Sequence, residues 1–107
     1  MELKDKHCVP CERGTNPLSD TVEDELLRSA KGWEIDRTAV HKIRKVFTLR
    51  DFGEAIDFVN HIAKIADREG HHPVLHIFYK RVTVELYSHE IVGLSENDFI
   101  MAAKIEA

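Results

Sequence analysis

The stretch Glu69–Glu90, EGHHPVLHIFYKRVTVELYSHE, decides the fold and raises the main chemical question. It contains two strand-like runs, Val74–Tyr79 and Arg81–Ser88. In the second, Val82, Val84 and Leu86 alternate with Arg81, Thr83, Glu85 and Tyr87, the pattern of a strand buried on one face. The connection at Tyr79–Arg81 is too short for a crossover, so the runs must pair antiparallel. They do so without the Asn-Gly chemistry that favours tight hairpin turns. Four of the seven histidines fall here: His71, His72, His76 and His89. Pro73 forces extended geometry on His72. The start of one antiparallel strand lies beside the end of the next, so His71, His72 and His89 are expected within reach of one another. His72 and His76 share parity along the strand, and His76 reads as a strand-face residue.

Three imidazoles at one end of a hairpin admit three readings. They can be solvated polar residues, the commonest fate of loop histidines. They can be acid–base groups, since imidazole both gives and takes protons near neutrality. They can be ligands of Zn²⁺. Spacing alone leaves all three open.

Before the hairpin lies the strongest helical pattern in the chain, about residues 50–69. Its apolar positions fill an arc of about 180°, where a helix that covers only its own core needs about 100°. A second buried face, most simply in an oligomer, is the expectation. Thr48-Leu49-Arg50-Asp51 has capping-box spacing, and Gly70 ends the helix. Further upstream, Trp33–Asp36 and Val40–Phe47 read as strands interrupted at Arg37–Thr38, with Ile43 and Phe47 on one face. Val22, Leu26 and Ala30 recur at helical spacing after N-cap candidates Ser19 and Asp20, and Gly32 sits where a C-cap glycine belongs. Downstream, Ser95-Glu96-Asn97-Asp98 is a capping box opening a helix with Phe99, Ile100 and Ala103. Asp98 reads first as a cap. Trp33, Phe78 and Tyr79 read as core. The element order α-β-β-α-β-β-α predicts an α+β fold, a four-stranded antiparallel sheet with three helices on one face.

At 107 residues the chain makes one domain. Residues 1–18 read as an N-terminal tail and 19–107 as the domain. The net charge of −4 gives no general attraction to nucleic acid or membrane. Lys42, Arg44, Lys45 and Arg50 make a small basic patch that a solvated strand edge explains. MELKDKHCVPC has no apolar core of a signal peptide, and no apolar run approaches the roughly 20 residues of a membrane span. A cytoplasmic location is expected. The two cysteines, Cys8 and Cys11, form a C-x-x-C after His7. They are weak metal candidates, because no second pair completes a four-ligand site. No strand precedes them, as a redox motif would need.

The hairpin region resembles the pterin-4a-carbinolamine dehydratase family in its bacterial form. Asp67, then His71-His72-Pro73, Tyr79, His89 and Asp98 stand at the family's spacing throughout. The similarity extends to Leu18-Ser19, Gly32-Trp33, the Phe52–Glu69 helix and Gly93-Leu94-Ser95. The resemblance implies dehydration of 4a-hydroxytetrahydropterin to quinonoid dihydropterin, which recycles the tetrahydropterin cofactor, with no metal or redox cofactor. It implies that His71 and His89 are the acid–base pair and that His72 binds and polarises the pterin. Gly70, Tyr87, Ser88 and Glu90 would line the pocket with them, and Asp67, Pro73, Tyr79 and Asp98 would support it. It implies a homodimer or homotetramer through helix 50–69. The alternative is a pterin-binding or partner-binding assembly protein that kept the pocket without turnover. Gly70 stands where animal members often have Asp, and Val74-Leu75 where they carry an aromatic pair.

Overall fold

The structure is a computed structural model that describes residues 2–10 and 14–107. Three helices, α1 (Asp20–Leu27), α2 (Phe52–Glu69) and α3 (Glu96–Glu106), accompany four strands, β1 (Glu34–Asp36), β2 (Lys42–Thr48), β3 (Val74–Phe78) and β4 (Arg81–Leu86). The strands form one antiparallel sheet in the order β1-β2-β4-β3. The element order and the α+β architecture are those expected from the sequence.

Alternation in β4 sends Val82, Val84 and Leu86 to the helix side, where all three are fully buried. Ile43 of β2 joins them, and Phe47 packs edge-on to Trp33 and against Phe58. Ala55, Ile62, Ile65 and Ala66 of α2 cover this face together with Phe99, Met101, Ala102 and Ile105 of α3. Burial of this kind stabilises by about 25 cal/mol per Å² of apolar surface. α3 is buried almost all round, as suits a central helix. The opposite face of the sheet is a lattice of charges. Glu85 meets Lys42 at 3.6 Å, Arg44 at 4.0 Å and His76 at 3.4 Å. His76 is thus a strand-face residue.

Several local expectations change. α2 starts later than the Thr48 box suggests, because Asp51 is its N-cap and accepts from the Glu54 N–H at 2.8 Å. β2 begins at Lys42 rather than Val40. The basic residues do not form a patch: Lys45 lies on the helix side and pairs with Glu106, while Arg50 pairs with Asp51 and Glu54. Phe78 and Tyr79 are not core; they are 71% and 63% exposed at the hairpin tip. That turn holds Tyr79 at φ 53°, where Asn or Gly would sit more easily.

In α1 the buried residue is Glu23, not Val22, which is 37% exposed. A buried carboxylate needs compensation, and the β1–β2 connection supplies it. Arg37 Nε donates to Glu23 Oε1 at 3.0 Å, and His41 Nδ1 lies 2.9 Å from Oε2. The Arg37–Thr38 break between the strands therefore locks α1 to the sheet. Apolar periodicity misses this because an ion pair, not a hydrocarbon face, fastens the helix.

Candidate active site

Gly70 ends α2 in the left-handed conformation, φ 68°, and the His71 N–H closes back on the Ala66 carbonyl at 3.2 Å. This reversal turns the His71 side chain inward, where it is 9% exposed. His72, its neighbour, points outward and meets Asp67 at 3.0 Å. Pro73 then leads into β3. The register pairs Val74 with Glu85, so the beginning of β3 and the end of β4 share one end of the sheet, as the hairpin argument requires.

His71 Nε2 lies 2.7 Å from Asp98 Oδ1, and Asp98 is fully buried. Asp98 Oδ2 accepts from the Ser88 hydroxyl at 2.9 Å and from the Ser95 N–H at 2.9 Å. The Ser88 and Ser95 hydroxyls lie 2.6 Å apart. Ser88 spends its single proton on Asp98, so Ser95 donates to Ser88. A carboxylate that receives this set of donors is an acceptor throughout. Nε2 of His71 therefore carries the ring proton in the neutral form, and Nδ1 is the atom able to accept another.

Asp98 thus does two things. It is the N3 residue of the α3 capping box, and it orients a buried histidine 27 residues away in sequence. Sequence spacing reveals the first role; the second appears only when α3 is packed beside the α2–β3 junction. Ser88 is fully buried with its hydroxyl on Asp98, so it braces the carboxylate rather than facing solvent.

His89 follows Ser88 and is exposed, with its ring 4.2 Å from that of Tyr87. The loop carrying it is closed by a bridge in which Ser88 N–H donates to Gly93 O at 2.8 Å. Gly93 is needed there: a Cβ would meet Pro17 Cβ at 2.7 Å. Glu90 is exposed on the same loop. The network therefore gathers His71, Ser88 and Asp98 into one bonded group, with His72–Asp67 and Tyr87–His89 at the same end of the sheet. Tyr79 is not brought to this end. It sits in the turn beyond Phe78, about 16 Å of strand from Val74 at roughly 3.3 Å per residue.

Among the described residues, the group of donors close enough to share a cation is Asp20, Glu23 and His41, not the hairpin histidines. Arg37 already neutralises Glu23 there. Cys8 is partly buried with its sulfur 3.7 Å from Asn97 O, and Cys11 lies outside the described residues. No helix among the described residues is long and apolar enough to cross a membrane. A recess of about 630 Å³ opens between the end of α1 and α3, lined by Trp33, Phe99 and Ala102; none of the histidines lines it.

The sequence pattern of the family described as Pterin 4 alpha carbinolamine dehydratase matches residues 16–107. A Rubrobacter xylanophilus protein with a provisional pterin-4-alpha-carbinolamine dehydratase name is 39% identical over 105 residues, 98% of this chain and 96% of its own. One from Dechloromonas aromatica, named the same way, is 45% identical over 97% of this chain and 90% of its own. A crystal structure of a transcriptional coactivator/pterin dehydratase from Brucella melitensis superposes with a TM-score of 0.80 at 33% identity. It covers 85% of this chain and 96% of that one.

Proposed function

The chain belongs to the pterin 4 alpha carbinolamine dehydratase family, and from that premise we propose that it dehydrates 4a-hydroxytetrahydropterin by histidine acid–base catalysis. The observation that carries the reading is the buried His71–Asp98 pair at 2.7 Å, braced by Ser88 and Ser95.

The chemistry asks for two proton transfers. A ring nitrogen of the substrate pushes its electron pair toward C4a, and the C4a–O bond breaks. Hydroxide leaves poorly, so an acid must protonate the departing oxygen, giving water. A base must take one proton from the pterin ring, giving the neutral quinonoid dihydropterin. Each transfer by a positioned group is worth roughly 10²–10⁴-fold. His71 suits the base. Its Nε2–H is committed to Asp98, its Nδ1 accepts, and the carboxylate faces the positive charge the ring then takes on. His89, exposed and tilted against the Tyr87 ring, suits the acid. His72 would bind and polarise the pterin, with Gly70, Tyr87 and Glu90 as further walls. None of these steps calls for a metal or a redox cofactor.

The product would re-enter tetrahydropterin recycling. A homodimer or homotetramer through α2 accompanies this reading, supported by the 52% exposure of Phe52 on that helix. The test is the decay of freshly generated 4a-hydroxytetrahydropterin with and without the protein. Acceleration by the wild type, lost in His71→Ala and His89→Ala with pterin binding retained, is the expected result. Pterin binding without acceleration would favour the binding or assembly reading, which the coactivator part of the Brucella protein's description supports.

A further inference from the structure

The His71–Asp98 pair is made by two junctions that meet in space, the end of α2 and the first turn of α3. One short stretch of the N-terminal segment is bonded to both. The Cys8 N–H donates to Glu69 Oε1 at 2.9 Å, and His7 Nδ1 lies 3.1 Å from Oε2 of the same carboxylate. Glu69 stands two residues before His71, and its side chain is 2% exposed. The Val9 N–H donates to Asn97 Oδ1 at 3.0 Å, and Asn97 Nδ2 donates back to the Val9 carbonyl at 2.6 Å. Asn97 is the residue before Asp98. Lys6 pairs with Glu96 at 3.2 Å, and Lys104 Nζ donates to the Lys4 carbonyl at 2.9 Å.

We propose that His7–Val9 is a positioning strap for the acid–base site, joining Glu69 to Asn97 and so holding His71 against Asp98. The inference rests on the dehydratase reading, and it assigns Glu69 and Asn97 a role through His71 and Asp98 rather than on the substrate itself.

A carboxylate at the C-terminal end of a helix meets the negative end of the helix dipole, and a buried one must have donors. Glu69 obtains them from the strap, so the strap is not an incidental surface contact. The Cys8 N–H is the foremost cause that holds the Glu69 carboxyl below its ordinary range, with His7 and Lys104 adding to it against the cost of burial. The Asn97–Val9 exchange is reciprocal, which fixes direction as well as distance, as a pair in a β-ladder does. Finally, the bonds fall on residues adjoining the pair on both sides, so any slackening of the strap is transmitted over one or two residues.

The test uses the full chain with histidine ring nitrogens labelled with ¹⁵N. In the wild type, the His71 Nε2 proton bonded to Asp98 is expected to exchange slowly with water. Asn97→Ala and Glu69→Ala are expected to speed that exchange severalfold while the chain stays folded. Glu69→Gln, which keeps an acceptor for the Cys8 N–H, is expected to stay closer to wild type. In the dehydration assay the alanine variants should lose about tenfold in kcat with KM little changed, about half, in free energy, of what misplacing a reacting group by 1 Å costs. If either alanine variant folds, keeps the wild-type exchange rate and keeps wild-type kcat, the strap does not position the pair. If wild type itself fails to accelerate dehydration, the dehydratase reading falls, and the exchange measurement alone still decides the strap.

Discussion

At the scale of the residue, the account turns on which atom of His71 is free. Asp98 receives His71 Nε2–H, Ser88 O–H and Ser95 N–H. Asn at this position offers one acceptor and one donor in place of two acceptors. Asp98→Asn therefore sets an amide N–H against either His71 or the two serine donors, and it releases the ring tautomer. We expect kcat to fall by about 10², the lower end of what a positioned acid or base is worth, with pterin affinity nearly kept. Ser88→Ala removes one donor from a buried carboxylate and should cost about 1.5–3 kcal/mol in denaturant unfolding. Glu69 gives a pH signature. Its carboxyl is held below the ordinary 4.5 by the Cys8 N–H, His7 and Lys104. A depressed folded-state value contributes stability that is present above pH 4.5 and lost as pH falls through the folded value. Acid unfolding followed by circular dichroism should therefore steepen below pH 4.5 in wild type and be shallower in Glu69→Gln.

At the scale of the element, the hairpin was legible from alternation in β4 and from Pro73, and so were the three helices from their apolar spacing. The details that escaped are those where a polar group replaces hydrocarbon. Glu23, rather than Val22, fastens α1, because Arg37 and His41 neutralise it. Tyr79 and Phe78 look like core by type, but Phe78 ends β3 on the face that carries His76, and Tyr79 lies in the turn after it, so both are exposed. The N-terminal segment lacks an apolar pattern, so its docking through Cys8 and Val9 backbone groups is invisible to periodicity. Gly93 stood out only through the family resemblance; its physical reason is Pro17, which a methyl group would strike. Gly93→Ala should cost about 1–3 kcal/mol, the usual range for overpacking, read from the thermal or denaturant midpoint. α2 shows apolar residues that its own core leaves uncovered, with Phe52 half exposed. On the oligomer proposed through this helix, Phe52→Glu should shift sedimentation toward monomer while leaving the circular dichroism spectrum unchanged.

At the scale of the whole molecule, the histidine end of the sheet works as a convergence of four junctions: the α2–β3 reversal, the end of β4, the first turn of α3 and the N-terminal segment. Strand pairing alone puts His71, His72 and His89 at one end of the sheet and leaves acid–base and metal chemistry level. The packed structure separates their environments. One imidazole is buried on a carboxylate, one is exposed beside Asp67, and one is exposed on Tyr87. An arrangement in which the rings differ so much suits distinct roles in proton transfer better than equal shares in a metal. Dialysis against a chelator should accordingly leave dehydration unchanged, with metal content measured before and after; loss of a stoichiometric metal together with activity would reverse that assignment. The most direct measurement is the rate of 4a-hydroxytetrahydropterin loss with wild type, His71→Ala and His89→Ala at saturating substrate. The account predicts acceleration by wild type and a fall of roughly 10²–10⁴-fold in each variant. Wild-type rates in both variants would contradict it.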